Sequence, residues 1–262
     1  MRNRFVTSSI LAALIFILPV SADAQARRER GTVVIPKSSI ERANDIGRVA
    51  HTNIRLFVPT SGAVVGGASF GSKPMSAGGP PFPGYFYETP ASAACIYHLV
   101  ATSVPGCNPN LASTNPSGGG GAIAIVDAFD DPNAASDLAA FDQQFDILPA
   151  DLTVVYAAGT QPPLDPSGGW ELEESLDIEW AHSMAPKAKL YLVEAASNSF
   201  IDLLTAEFVA TSLVQAAGGG EVSNSWGGGE FDGESTVDFV FTGRGVVFFA
   251  SAGDGPGVIW PS

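Results

Sequence analysis

The chain has 262 residues, 45% of them hydrophobic and only 15% charged, with 13 Lys and Arg against 27 Asp and Glu for a formal net charge of -14. With 29 Gly and 19 Pro, this excludes a coiled coil or a disordered tail and fits a globular, loop-rich protein. The acidic balance argues against nucleic acid and anionic membranes as partners, since both repel it, and is compatible with work at low pH, where carboxylates partly neutralise.

Arg2 and Arg4 precede an apolar run from Ile10 to Val20 and the small-residue stretch Ser21-Ala22-Asp23-Ala24-Gln25-Ala26. This reads as a secretory signal over residues 1–24, with cleavage after Ala24 or Ala26. The run is short for a bilayer span, so the expectation is an exported protein, secreted or periplasmic. Residues 25–83 read as a short pro-region or linker. They hold a basic cluster (Arg27, Arg28, Arg30), one strand at Ile54–Val58, and Gly78-Gly79-Pro80-Pro81-Phe82-Pro83-Gly84, which cannot be regular structure. Cys95 and Cys107 are the only cysteines. In an exported chain, two cysteines closing a short loop predict a disulfide. The alternative is a reactive thiol with His98 as its activating base. His51, His98 and His182 are scattered, without zinc-ligand spacing.

A second flexible stretch, Asn115 to Gly121, leads into a regular alternation. Strands are predicted at Ala122–Asp127, Thr153–Ala157, Lys189–Glu194, Val222–Ser225 and Val246–Ala250. Helices are predicted at Pro132–Phe145 (with Asp131 as cap), Leu172–Met184, Asp202–Ala216 and Glu234–Phe241. Short, nearly continuous apolar strands alternating with helices predict an α/β fold, a doubly wound parallel sheet with helices on both faces. Sites in such sheets form beyond the carboxyl ends of the strands. Three predicted strands end suggestively: at Asp127, at Asn224-Ser225-Trp226-Gly227-Gly228, and at Ala252-Gly253-Asp254-Gly255.

Glu173 and Asp177 stand four residues apart in a predicted helix. At about 100° per residue they point within roughly 40° of each other. Like charges that close destabilise a helix. Paired carboxyls also split their pKa values, so that one can hold or take a proton. The plain alternative is a solvated acidic helix edge.

Five segments in order carry a resemblance. They are Ile123-Ala124-Ile125-Val126-Asp127, Leu176-Asp177-Ile178-Glu179-Trp180-Ala181, Ala185-Pro186-Lys187-Ala188-Lys189, Val222-Ser223-Asn224-Ser225-Trp226-Gly227-Gly228, and Ala250-Ser251-Ala252-Gly253-Asp254. Together they resemble the sedolisins, serine-carboxyl peptidases with a subtilisin-like fold. The resemblance covers about Ala122 to Ser262, and more loosely the stretch from Tyr85; residues 84–262 are expected to be the N-terminal part of the peptidase domain. It implies that Glu173 is the general base for a serine hydroxyl, that Asp177 hydrogen-bonds and orients Glu173, and that Asp254 is the oxyanion acid. It also implies that Asp127 and Trp226 extend the hydrogen-bond network. Ser225, Gly227 and Gly228 are expected to line the substrate cleft.

The family's nucleophile lies in a Gly-Thr-Ser motif, and this chain contains none. The calcium ion implied by the resemblance has its ligands near the end of the family's domain, and none is assigned here. The sequence is therefore expected to be part of a longer protein, with a fold incomplete at its C-terminus and no activity alone. The implied partner is a polypeptide substrate, and the chain is expected to be a monomer.

A carboxylate base suits acid chemistry: a histidine of pKa about 6.5 is mostly protonated in acid, whereas a carboxylate of about 4.3 still accepts protons. An oxyanion acid must be neutral, because only a protonated carboxyl donates a hydrogen bond. Two competitors remain. One is a catalytically dead subtilisin-like domain that binds peptides; the other is a metal-assisted hydrolase using Asp127, Asp130 and Asp131. Asp130 and Asp131 can equally be a turn and a helix cap. His182, five residues past Asp177, points roughly 140° away from it on the helix.

Overall fold

A computed structural model describes residues 31–59, 88–100, 108–109 and 112–253. The signal segment, most of the expected linker, Cys107 and Asp254 lie outside the described residues.

Five strands form one parallel sheet: β3 (Ala122–Ala128), β4 (Asp151–Tyr156), β5 (Lys189–Ala195), β6 (Gly220–Asn224) and β7 (Val246–Ala250), in the order β4-β5-β3-β6-β7. The helices are α2 (Ala134–Phe145), α3 (Trp170–Met184) and α4 (Phe200–Ala216), with a 3-10 helix at Glu234–Phe241. Strand periodicity sets the layers. Ala122, Ala124, Val126 and Ala128 of β3 pack with Leu203, Ala206 and Ala210 of α4. Ile125 turns to the opposite face, with Leu138 of α2 and Ile178 of α3. Both faces of β3 are thus covered, which is why its sequence is apolar almost throughout. The architecture is α/β, a parallel sheet flanked by helices on both sides, as expected.

Boundaries differ from the sequence reading where local chemistry outweighs pattern. The helix expected from Pro132 begins at Ala134, because Asp131 closes a turn before it: its Oδ1 accepts from Asn133 N at 2.9 Å. The helix expected from Leu172 begins at Trp170, because Asp165 caps it from outside. Asp165 Oδ2 accepts from Gly169 N at 2.8 Å and Trp170 N at 3.1 Å, satisfying amides that have no partner inside the helix. The expected helix at Glu234–Phe241 is a 3-10 helix. The segment around the first cysteine contains an unanticipated helix, α1 (Pro90–Ile96), with Thr89 and Ser92 forming a capping box and Pro90 in its first turn. Cys95, buried in α1, is disulfide-bonded, which removes the thiol reading; Cys107 is the chain's only other cysteine. No helix among the described residues is long and apolar enough to cross a membrane.

Residues 31–59, which fall in the expected pro-region or linker, are tied to the sheet domain. β1 (Gly31–Val34) and β2 (Leu56–Pro59) form an antiparallel pair. Between them the chain crosses the carboxyl end of the large sheet. Ala50 N donates to Asn198 O at 2.8 Å, His51 N to Gly227 O at 2.8 Å, and Gly227 N back to His51 O at 3.1 Å. Ala50 and Thr52 are fully buried. His51 Nδ1 lies 3.1 Å from Ser38 O.

Gly220 opens β6 with φ +152°, and a Cβ there would lie 1.9 Å from Ala122 O, on the strand it pairs with. Gly220→Ala is expected to separate β3 from β6 locally and cost about 3 kcal/mol or more, read as a lower urea midpoint.

Candidate active site

α3 lies against β3 and β5 with Glu173 and Glu174 buried and Ile178 in the core between them and the sheet. On the sheet beneath, Asp127 and Glu194 are register partners at the carboxyl ends of β3 and β5, and both are fully buried. They share the parity of Ile125 and Leu192, which face the α2–α3 side. The topology therefore brings Glu173, Glu174 and Asp177 from the helix onto Asp127 and Glu194 from the sheet.

The cluster is acidic throughout. Among the described residues the ion pairs are His51–Asp45, His182–Asp142 and Lys189–Asp151, none with a carboxylate of the site. Both oxygens of Asp127 and of Glu174 are buried without a hydrogen-bond partner, as is Asp177 Oδ2. Desolvation disfavours ionised carboxyls, and like neighbours add to it. Burial, then the charges of Asp177, Glu173 and Glu194, hold Asp127 well above the usual carboxylate range. Burial, then Asp127 and Glu194, does the same for Glu174. Burial raises Asp177 to about 6, while the Ser225 side chain, facing its carboxyl, pulls the other way. Glu194 is pushed up to about 8 by burial and then by Asp130.

Most of the expected site residues converge. Glu173, Asp177 and Asp127 are mutual neighbours, and Ser225 belongs to the same group rather than only lining a cleft. Trp226 is placed beside them, but its Nε1 donates to Val126 O at 2.9 Å and not to a carboxyl; it locks the turn after β6 to the end of β3. Gly227 is paired with His51, and a Cβ on Gly228 would meet Phe200 at 3.2 Å and Val49 O at 3.5 Å. The backbone edge expected to line the cleft is thus covered by the chain's own residues 49–51. Asp254 lies outside the described residues.

Asp130 and Asp131 serve structure. Asp130 accepts from Gln161 Nε2 at 2.9 Å, and Asp131 accepts from Asn133 N and, at 3.1 Å, from Ser175 Oγ. Phe129 makes this possible by turning the chain sharply after β3, at φ +78°, with its ring 6.3 Å from that of the buried Trp170. Among the described residues, no three His, Cys, Asp or Glu side chains are placed to hold a metal ion. The described residues thus offer no ligand set for the metal-assisted alternative or for calcium. His182 is fully buried on the far side of α3, its Nε2 donating to Leu148 O at 2.7 Å, away from the carboxyl pair. A hollow of about 550 Å³ between α2 and β4, lined by Leu138, Ala139, Ile147 and Leu152, lies towards the amino end of β4 and has no share in this chemistry.

Sequence reasoning missed Glu174 and Glu194. A signal for Glu194 was present: like Asp127, it closes an apolar strand, Lys189 to Ala195. Glu174 sits one turn before the fully buried Ile178 on α3, but nothing local separated it from the solvated Glu pattern around it.

These carboxyls bind their protons more tightly folded than unfolded. Stability is therefore fully present below the unfolded values, about 4 for Asp and Glu, and falls as pH rises towards the folded ones, by about 1.4 kcal/mol per pH unit for each group in its window. Asp177 acts up to about 6 and Glu194 up to about 8. Urea midpoints at constant ionic strength are expected to be higher at pH 4.5 than at pH 8, and Glu174→Gln is expected to flatten that slope. A stability maximum at pH 8 contradicts the account.

No family model matches the chain, and a search of curated proteins finds no match.

Proposed function

We propose that the chain carries the base half of an acid-adapted serine-carboxyl peptidase site of sedolisin type, in an exported protein that hydrolyses polypeptides. The observation that supports this most is the convergence of Glu173 and Asp177 on Asp127 at the carboxyl end of the sheet, with Ser225 facing Asp177. A surface pair would leave these carboxyls solvated.

In this reading Glu173 takes the proton from a serine hydroxyl as its oxygen attacks the scissile carbonyl carbon. These 262 residues contain no Gly-Thr-Ser motif, and this reading assigns the nucleophile to none of their serines. Asp177 and Asp127 form the carboxyl set behind the base. Their raised pKa values keep a proton within the set in acid, so Glu173 can be ionised while its neighbours are neutral. The tetrahedral oxyanion accepts a hydrogen bond from protonated Asp254. Glu173 then returns its proton to the departing amine, leaving an acyl-enzyme that water cleaves by the same two steps. No step passes through calcium, for which this chain supplies no fitting ligand set among the described residues.

A second reading is a catalytically dead domain that binds extended peptides. The antiparallel bridge between Gly227 and His51 shows that this backbone edge can pair with a strand, so a foreign strand that displaced residues 49–51 would find the same donors and acceptors.

The complete reading frame encoding this chain, expressed and assayed on denatured protein, is expected to cleave it fastest below about pH 5, where a carboxylate base is near its own pKa. Glu173→Gln is expected to lower kcat by about 10³-fold or more with KM little changed, as for loss of a general base in a triad. Asp177→Asn is expected to cost about 10²-fold and shift the acid limb of the pH profile. Peptide binding without cleavage at any pH supports the dead domain. Chelator-sensitive cleavage unaffected by Glu173→Gln overturns the peptidase assignment in favour of a metal.

A further inference from the structure

The turn that follows β3 is tied to its surroundings at three points. Phe129 N donates to Ala195 O at 3.0 Å and Asp131 N to Glu194 Oε1 at 3.4 Å, so the turn grips the end of β5. Asp130 N donates to Pro163 O at 3.2 Å, and Asp130 Oδ2 accepts from Gln161 Nε2, so it also grips the loop leading into α3. The third tie reaches α3 itself. Asp131 is buried; its Oδ1 accepts from Asn133 N, and its Oδ2 accepts from the Ser175 hydroxyl at 3.1 Å, in the middle of the helix. On a helix, Ser175 points roughly 160° away from Glu173 and from Asp177. The buried Glu174 and Ile178 fall between them, so the carboxyl pair and Ser175 occupy the two flanks of α3, either side of its sheet-facing line.

We propose that Asp131 is a positioning residue, which by accepting the Ser175 hydroxyl fixes the roll of α3 about its axis and so the approach of Glu173 and Asp177 to Asp127. The packing of Ile178 with Ile125 and Leu192 holds the helix down on the sheet, but apolar contact is non-directional and sets roll weakly. Asp165 anchors the first turn through the Gly169 and Trp170 amides, which lie close to the axis and resist roll little. A hydrogen bond from a side chain on one flank is directional and acts with the full radius of the helix. With side-chain heads about 6 Å from the axis, a roll of about 10° carries the carboxyls through about 1 Å. A displacement of that size costs a catalytic constellation about 10²-fold. Burial raises the pKa of Asp131, and the bonds from Asn133 and Ser175 oppose this, the sign expected when both donate to its carboxylate. Asp131 touches neither substrate nor the reacting atoms; it acts through Ser175.

The inference rests on Glu173 and Asp177 being the working pair of the proposed peptidase, but its test reads no proteolysis, so its failure is separable from failure of that reading. In the full chain, the Asp177 carboxyl is followed by carbon-13 NMR from pH 3 to 9, with Asp177→Asn identifying its signal. Burial raises this group to about 6. Ser175→Ala deletes the hydroxyl without removing a charge, so a moved midpoint reports a moved carboxyl. It is expected to lower the Asp177 midpoint by about one pH unit, towards the ordinary value of about 4, as the freed helix rolls the pair towards water. Ser175→Thr keeps a hydroxyl at that position and is expected to leave the midpoint unchanged. Asp131→Asn is also expected to leave it unchanged, since its Oδ1 can still accept from Asn133 N and its Nδ2 can donate to Ser175 Oγ. Asp131→Ala loses both contacts and is expected to lower the midpoint as Ser175→Ala does. An Asp177 midpoint that does not fall in Ser175→Ala overturns the proposal, even if thermal stability drops, because Asp131 would then be a cap and nothing more. A fall as large in Ser175→Thr also overturns it, since side-chain bulk at 175 rather than the donated hydrogen bond would be at work.

Discussion

The desolvation of clustered carboxyls is the constraint on which the rest of this structure turns. Asp127, Glu174 and Glu194 are fully buried between α3 and the sheet, with Glu173 and Asp177 beside them. Burying an ionised carboxylate costs far more than the few kcal/mol by which a domain is stable. The cluster is tolerable only if several members stay protonated, and that couples the fold to acid. The overall charge of -14 points the same way, since self-repulsion falls as carboxyls neutralise.

The doubly wound topology explains how the cluster forms from distant pieces. Asp127 and Glu194 are 67 positions apart in the chain, yet they become register partners because β3 and β5 are adjacent and parallel. α3, connecting β4 to β5, passes over that pair and lowers Glu173, Glu174 and Asp177 onto it. The turn after β6 arrives from the other side and is held by Trp226 against Val126. Residues 48–52 then close over the same end, spending the free backbone edge at Gly227 on the chain's own His51. A site intended for an extended peptide would have to share or vacate that edge.

Where sequence reasoning fell short, interactions between elements had decided the outcome. The start of α3 shifted because Asp165, outside the helix, caps it; the start of α2 shifted because Asp131 is spent on the turn before it. α1 escaped notice because it is short and set among turn-forming residues, although Thr89-Pro90-Ala91-Ser92 spells a capped helix start. Trp226 was expected among the carboxyls, yet its indole N–H serves a backbone carbonyl, a choice made by how the turn after β6 lies on β3.

The alternation of apolar strands and helices determined the fold class by itself, because a strand covered on both faces has no polar side to show. The four-residue spacing of Glu173 and Asp177 determined that they share a helix face, because helical geometry is local. Which face that is, whether solvent or sheet, was not local information. Only the tertiary structure turned it inward, onto an Asp127 and a Glu194 whose partnership depends on strand order. Only the tertiary structure, too, buried a further carboxyl, Glu207, on α4. A carboxyl's pKa belongs to its surroundings, and those are assembled from parts of the chain that no sequence window contains.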